Sequence, residues 1–267
     1  MIGQLGRTML RSVLMFLSLA QIALGFLVLR LRTRGPIPPP RRAHWLRWSC
    51  ALLLKRLGIR VQANGPLPSA GLIVSNHLGY LDILVFGATL PCIFVSKAEV
   101  RSWPVFGLLV QFAGTIFLDR RSQSSAAEVT RQIGERLQGG LPILLFPEGT
   151  STDGTALLRF HSSLLEAAIR TSSPIAAAAV SYTAADTKER DLCYYGDDTF
   201  LPHLLRTLGR REVFASVRFS GHSLVYPDRK VAASSLWSEV AQLRAELRTP
   251  SPLGSTRPSE VISYSSP

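Results

Sequence analysis

Leu72-Ile73-Val74-Ser75-Asn76-His77-Leu78-Gly79-Tyr80-Leu81-Asp82 is the stretch that decides the fold. Leu72-Ile73-Val74 reads as a buried strand, and a short polar segment with a glycine separates it from a helical run opening at Tyr80. His77 then lies where a strand ends and a helix begins, the position at which α/β folds carry their chemistry. Imidazole accepts a proton near neutral pH, and a neighbouring carboxylate fixes its tautomer and stabilises the imidazolium. Asp82 follows five positions later. On one continuous helix, turning by about 100° per residue, the two side chains would face poorly. A turn between them is therefore required, and Gly79 supplies it. Taken alone the pair also fits a capping or core-edge histidine.

Two further runs stand downstream in the same setting. Gly114-Thr115-Ile116-Phe117-Leu118-Asp119-Arg120 and Phe146-Pro147-Glu148-Gly149-Thr150 each close a short apolar run with polar residues. In this order, the three resemble the motifs of the glycerophospholipid acyltransferase family: Asn-His-x4-Asp, then Gly-x-x-Phe-Ile-Asp-Arg, then Phe-Pro-Glu-Gly-Thr-Arg, then a proline-led apolar strand. The resemblance covers roughly residues 60 to 180. It implies that His77 is the general base, that Asp82 orients its ring, and that Glu148 and Gly149 shape the acceptor site, the glutamate gripping glycerol or nearby backbone.

The other candidate contacts to substrate are Asn76, Lys97, Arg120, Thr150 and Ser151. Lys97 and Arg120 follow apolar runs and are candidates to neutralise a phosphate, with a solvated surface charge as the competing reading. Asn76 has the further reading of a loop-holding residue. The chain departs from the family pattern at Ser151, where arginine is common, so a bidentate phosphate donor is missing. Hydroxyls of Thr150, Ser151 and Thr152 remain as weaker anion contacts. His161 stands near a position where many members carry lysine. The run Tyr194-Tyr195-Gly196-Asp197-Asp198-Thr199-Phe200-Leu201-Pro202-His203 and the Thr150-Ser151-Thr152-Asp153-Gly154 variant resemble segments of lyso-ornithine-lipid acyltransferases.

Strands are expected at 72–74, 93–95, 115–118, 143–146, 175–180 and 213–219, and helices at 80–90, 103–112, 124–137, 162–169 and 235–247. Such alternation gives an α/β fold, a central mixed sheet flanked by helices. The organisation expected is N-terminal membrane-anchoring helices over 1–62, an acyltransferase domain over 63–248, and a disordered Ser- and Pro-rich tail over 249–267.

The anchor is read from charge and hydropathy. Hydrophobic residues make up 46% of the 267-residue chain and the net charge is +12. Eleven of the 30 basic residues precede Asp82, and no acidic residue does, which leaves 19 basic against 18 acidic from Asp82 onward. Residues 12–29 are uncharged and bounded by Arg11 and Arg30, near the lower length limit for a transmembrane helix. A half-inserted interfacial helix is the alternative, and a cleaved signal peptide is disfavoured by Arg30, Arg32 and Arg34 where a cleavage site would stand. Pro36-Ile37-Pro38-Pro39-Pro40 breaks any helix. A second helix, 43–57, offers Trp45, Leu46, Trp48, Leu52 and Leu53 either to lipid or to the core. If the segment spans, the excess of positive charge after it puts the catalytic body on the cytoplasmic side of the membrane. Basic residues flanking an apolar run favour membrane lipids over nucleic acid as the partner.

Cys50, Cys92 and Cys193 are scattered, without disulfide or metal spacing, and no Gly-x-Ser-x-Gly elbow is present. Direct attack by the acceptor hydroxyl on a thioester, without an acyl-enzyme, metal or bound cofactor, is the mechanism expected. The donor is acyl-CoA or acyl carrier protein. The acceptor expected first is 1-acyl-sn-glycerol-3-phosphate, giving phosphatidate. A lyso-ornithine lipid or other lysolipid is the alternative, and a catalytically silent lipid-binding protein on the membrane surface is the reading from another class.

Overall fold

The computed structural model describes residues 2–102, 106–118 and 123–249. Eight α-helices are found among them: α1 (Ile2–Arg32), α2 (Pro39–Leu57), α3 (Tyr80–Thr89), α4 (Phe106–Phe112), α5 (Gln123–Gln138), α6 (Glu166–Arg170), α7 (Phe200–Gly209) and α8 (Arg229–Arg248). The strands are β1 (Ile59–Asn64), β2 (Leu72–Ser75), β3 (Ile93–Lys97), β4 (Ile116–Leu118), β5 (Ile143–Leu145), β6 (Ile175–Ala184) and β7 (Val213–Phe219). They form one seven-stranded sheet in the order β1-β7-β6-β2-β5-β3-β4. It is mixed, as expected: β6 and β7 are antiparallel, while β6, β2, β5, β3 and β4 run parallel. The parallel strands send their carboxyl ends to one edge, the usual location of α/β sites.

Helices cover both faces, so the central strands are buried throughout and read as unbroken apolar runs. Alternate residues serve opposite cores. Ile73, Leu144 and Ala178 join Phe86, Leu54 and Ile22 under α1, α2 and α3. Leu72, Val74, Ile143, Leu145, Ala177 and Ala179 join Val129, Ile133, Leu236 and Val240 under α5 and α8. The small residues of β6 let α8 pack closely.

Several boundaries differ from expectation. β1 was not anticipated; it pairs in parallel with β7, Ile59 opposite Val213, and it straddles residue 62. β6 continues four residues past Val180. α7 was not anticipated either. The proline cluster does not exclude helix, because α2 begins inside it at Pro39, where the missing N–H is one of the orphan donors of a helix start. Trp45, Leu46 and Leu53 are buried. Trp45 Nε1 donates to Ile22 O at 3.2 Å, so this face of α2 meets α1 rather than lipid. Asp119, Arg120 and the tail from residue 250 lie outside the described residues.

Candidate active site

β2 delivers its chain to the carboxyl edge, and residues 76–79 turn before α3 begins at Tyr80. Gly79 adopts φ 151°, and a Cβ there would lie 2.8 Å from Tyr194 Cβ, so both the conformation and the space call for glycine. The turn brings His77 Nδ1 to 2.7 Å from Asp82 Oδ2. The same oxygen accepts the backbone N–H groups of Leu78 at 2.6 Å and Gly79 at 3.0 Å. Asp82 Oδ1 accepts the Tyr182 hydroxyl at 2.6 Å. Asp82 has no exposed surface. Its charge is sustained by these donors and by its place in the first turn of a helix, where the dipole favours an anion. Burial, reinforced by the carboxylate, pushes the Tyr182 phenol well above its ordinary range, so it remains a donor.

The contact with the Asp82 carboxylate suits an Nδ1–H donor on His77, the tautomer in which Nε2 presents its lone pair. The imidazole stacks on Phe146, ring centroids 4.1 Å apart and planes 13° from parallel. One fifth of the side chain is exposed, so the ring is reachable from outside the fold.

The segment 147–154 holds the histidine backbone from the other side. Glu148 Oε1 accepts His77 N–H at 2.8 Å and Oε2 accepts Leu158 N–H at 2.7 Å. Burial raises the Glu148 carboxyl above its usual range, against the opposing pull of these two bonds. Gly149, at φ 71°, closes a turn through its N–H to Phe146 O at 3.1 Å. Thr152 N–H donates to His77 O at 3.0 Å. Behind this loop, Arg244 binds Gly154 O at 2.8 Å, Val180 O at 2.6 Å and Glu189 Oε2 at 3.0 Å, tying α8 to the loop and to β6.

The site residues expected from sequence thus divide. His77, Asp82, Glu148 and Gly149 come together in one constellation. Asn76 is buried, its amide donating to Val180 O at 3.1 Å and accepting Val180 N–H at 2.9 Å, so it anchors the loop to β6 and has no reach to substrate. Glu148 likewise grips backbone, both oxygens being occupied. Lys97 is exposed at the carboxyl end of β3 and Thr150 in the loop after Gly149; Ser151 beside it is half-buried. Tyr182 and Arg244 were missed.

Cys50, Cys92 and Cys193 are buried free thiols, and burial pushes Cys50 up to about 12, which disfavours a thiolate nucleophile. No group of three His, Cys, Asp or Glu able to hold a metal occurs among the described residues.

Comparison with known proteins bears on this arrangement. The family model described as Acyltransferase matches residues 58–181. The chain is 36% identical over 206 residues to the lyso-ornithine lipid O-acyltransferase of Pseudomonas aeruginosa, covering 76% of this chain and 79% of that one. It is 31% identical to the enzyme of the same name from Brucella abortus, covering 91% and 95%. It is 32% identical to the 1-acyl-sn-glycerol-3-phosphate acyltransferase of Neisseria gonorrhoeae, covering 63% and 67%. The crystal structure of the 1-acyl-sn-glycerophosphate acyltransferase PlsC from Thermotoga maritima superposes with a TM-score of 0.70 at 16% identity, over 94% of this chain and 98% of that one, a likeness of fold.

Proposed function

The chain belongs to the glycerophospholipid acyltransferase family, and from that premise we propose that His77 is the general base in transfer of a fatty acyl group from a thioester to the free hydroxyl of a lysolipid. The observation that carries the reading is the 2.7 Å contact between His77 and a carboxylate with no exposed surface, at the carboxyl edge of the parallel strands. The acceptor hydroxyl donates to Nε2 as its oxygen attacks the thioester carbonyl. Asp82 stabilises the imidazolium that forms. The tetrahedral adduct collapses, the thiolate of coenzyme A or acyl carrier protein departs, and the imidazolium returns the proton to sulfur. The new oxygen ester and the free thiol balance the reaction, and His77 is restored.

His77→Ala should lower turnover by roughly two to four orders of magnitude, the usual worth of a positioned base, while leaving the fold intact. Full activity in that variant, followed by thiol release and product-lipid analysis, would refute the mechanism.

Of the two acceptors considered, a lyso-ornithine lipid is the better supported. Ser151 replaces the arginine that would grip a phosphate, and the relatives at 36% and 31% identity over most of both chains carry that name. 1-Acyl-sn-glycerol-3-phosphate, the first expectation from sequence, keeps the support of the Neisseria relative. The membrane geometry we propose is a helix lying in one leaflet with the body on the cytoplasmic face. The apolar helix Gly3–Arg32 is long enough to cross a bilayer, but one face of α1 packs on the body from residue 7 to residue 26, which favours the in-plane arrangement.

A further inference from the structure

Between the segment that follows β6 and α7 lies an open cleft of about 480 Å³ whose charged lining is Arg190, Asp191, Asp197, Asp198, Arg206 and Arg210. We infer that this cleft is the headgroup subsite of the acceptor and that it selects a zwitterion, a lipid head carrying one carboxylate and one ammonium, over a phosphate monoester. The inference rests on acyl transfer at His77 and names the feature of the acceptor that this chain recognises.

Three observations support it. The first is charge balance. Three guanidinium groups face three carboxylates, so the cleft has no net charge to offer a phosphate dianion, yet it holds both signs within one concave surface. Arg206 is engaged with Asp198 at 2.7 Å, and Arg190 reaches the Tyr195 hydroxyl at 3.3 Å. Asp191 accepts the Thr187 hydroxyl at 2.8 Å, and that bond, with the nearby charges of Arg210 and Arg190, holds its carboxyl below the usual range. Asp197 and Arg210 make no direct side-chain hydrogen bond or close ion pair among the described residues, so the Asp197 carboxylate and the Arg210 donors are open to a ligand. An ornithine head joined to its acyl chain through an amide keeps one carboxylate and one ammonium, a matching pair.

The second is connection to the chemistry. Tyr194, between the cleft residues Cys193 and Tyr195, donates its N–H to Leu78 O at 2.8 Å and packs on Gly79. Glu189, next to Arg190, accepts Tyr182 N–H at 3.0 Å, and Tyr182 in turn holds Asp82. The cleft wall and the His77 turn are thus one bonded unit.

The third is access from lipid. Leu201 and Leu205 of α7 are exposed. Arg11 of α1 binds the carbonyls of Leu208, Arg210 and Arg211 at the other end of α7, which brings the apolar helix to the cleft rim. A lysolipid whose chain stays in the leaflet meets the cleft at that rim with its polar head.

The test uses the full chain in mixed micelles with acyl-CoA and, in parallel, acyl carrier protein as donor. The quantity read is kcat/KM for lyso-ornithine lipid divided by kcat/KM for 1-acyl-sn-glycerol-3-phosphate. Arg190→Gln/Arg210→Gln and, separately, Asp197→Asn should each lower this ratio about tenfold, the scale of one lost charge-assisted bond. Arg136→Gln on α5, remote in sequence and structure, should leave it unchanged. An unchanged ratio in both cleft variants overturns the inference. A fall in the arginine variant alone also overturns it, since that describes an anion site. A wild-type enzyme that acylates only 1-acyl-sn-glycerol-3-phosphate overturns it while leaving acyl transfer at His77 standing. Absence of transfer to either lysolipid would instead bring down the acyltransferase reading itself.

Discussion

Asp82 shows how a buried carboxylate is held by the groups packed around it. A carboxylate without exposed surface requires compensation for lost hydration, and here the Leu78 and Gly79 amides, the Tyr182 hydroxyl and His77 provide it. Tyr182→Phe deletes one donor and leaves Oδ1 buried without a partner, which should cost about 1.5–3 kcal/mol, the range for bonds to charged groups. Denaturant titration should show a lowered midpoint at unchanged slope, and the loosened Asp82 should reduce turnover as well. Tyr182 was invisible in the sequence because it lies a hundred residues from Asp82 and just past the expected end of its strand. His77, Asp82 and Glu148 were legible because each sits in a local motif. The motif left Glu148 between glycerol and nearby backbone, and the hydrogen bonds assign it to the backbone. Its carboxyl is raised by burial, so the folded chain holds that proton more tightly than the unfolded one. Its contribution to stability is full below the unfolded value near 4.5 and is lost as pH rises through the higher folded value. The unfolding free energy of the wild type relative to Glu148→Gln should therefore decline from pH 4.5 towards neutrality, and a difference that grows with pH would contradict the buried, raised carboxyl.

At the scale of elements, the turn after β2 decides whether a strand can hand its histidine to a helix-borne aspartate. Gly79→Ala places a methyl group 2.8 Å from Tyr194 Cβ and 2.9 Å from its backbone nitrogen, at φ 151°. The Leu78–Tyr194 bond must then lengthen or the turn must open. The expected outcome is a loss of about 1–3 kcal/mol, the cost of a strained backbone position, together with a fall in turnover larger than the fall in stability accounts for. Thermal melting and steady-state rates on the same preparation separate the two. The strands leading to the site were legible because they are continuous apolar runs buried on both faces. β1 and α7 were not, for different reasons. Ile59-Arg60-Val61-Gln62 alternates buried and exposed, but so short a pattern becomes a strand only through β7, more than 150 residues away. α7 carries Pro202 near its start, which reads as a breaker; within the first turn its missing N–H has no intrahelical partner to lose.

Across the whole molecule, the charge asymmetry read from sequence acquires a structural meaning in α1. Arg7 binds Gly209 O at 3.1 Å, and Arg11 binds the carbonyls of Leu208, Arg210 and Arg211 on either side of it. Met15, Leu19 and Ile22 are buried in the core, and Phe26 stacks on Phe112 at 4.1 Å. These positions recur every three or four residues, so one face of the helix is held to the body from residue 7 to residue 26. The opposite face, with Leu10, Val13, Phe16, Leu17, Leu24 and Leu27, is exposed and apolar. A helix of 31 residues docked in this way cannot stand along the bilayer normal without dragging the body into the hydrocarbon. It can lie in one leaflet, with that outer face among the acyl chains. The two geometries separate by topology. An in-plane helix keeps both chain ends on the same side of the membrane, whereas a spanning helix puts them on opposite sides. Single cysteines introduced beside Gln4 and at Lys188, in a chain whose native cysteines are buried, should both react with an impermeant maleimide added to the cytoplasmic face and neither with reagent on the other face; labelling of the first from the opposite side would establish a spanning helix. Phe16→Asp/Leu17→Asp should weaken binding to vesicles containing anionic lipid at high salt, where screening leaves apolar burial as the main attraction, while thermal melting in detergent stays close to wild type because neither side chain belongs to the core.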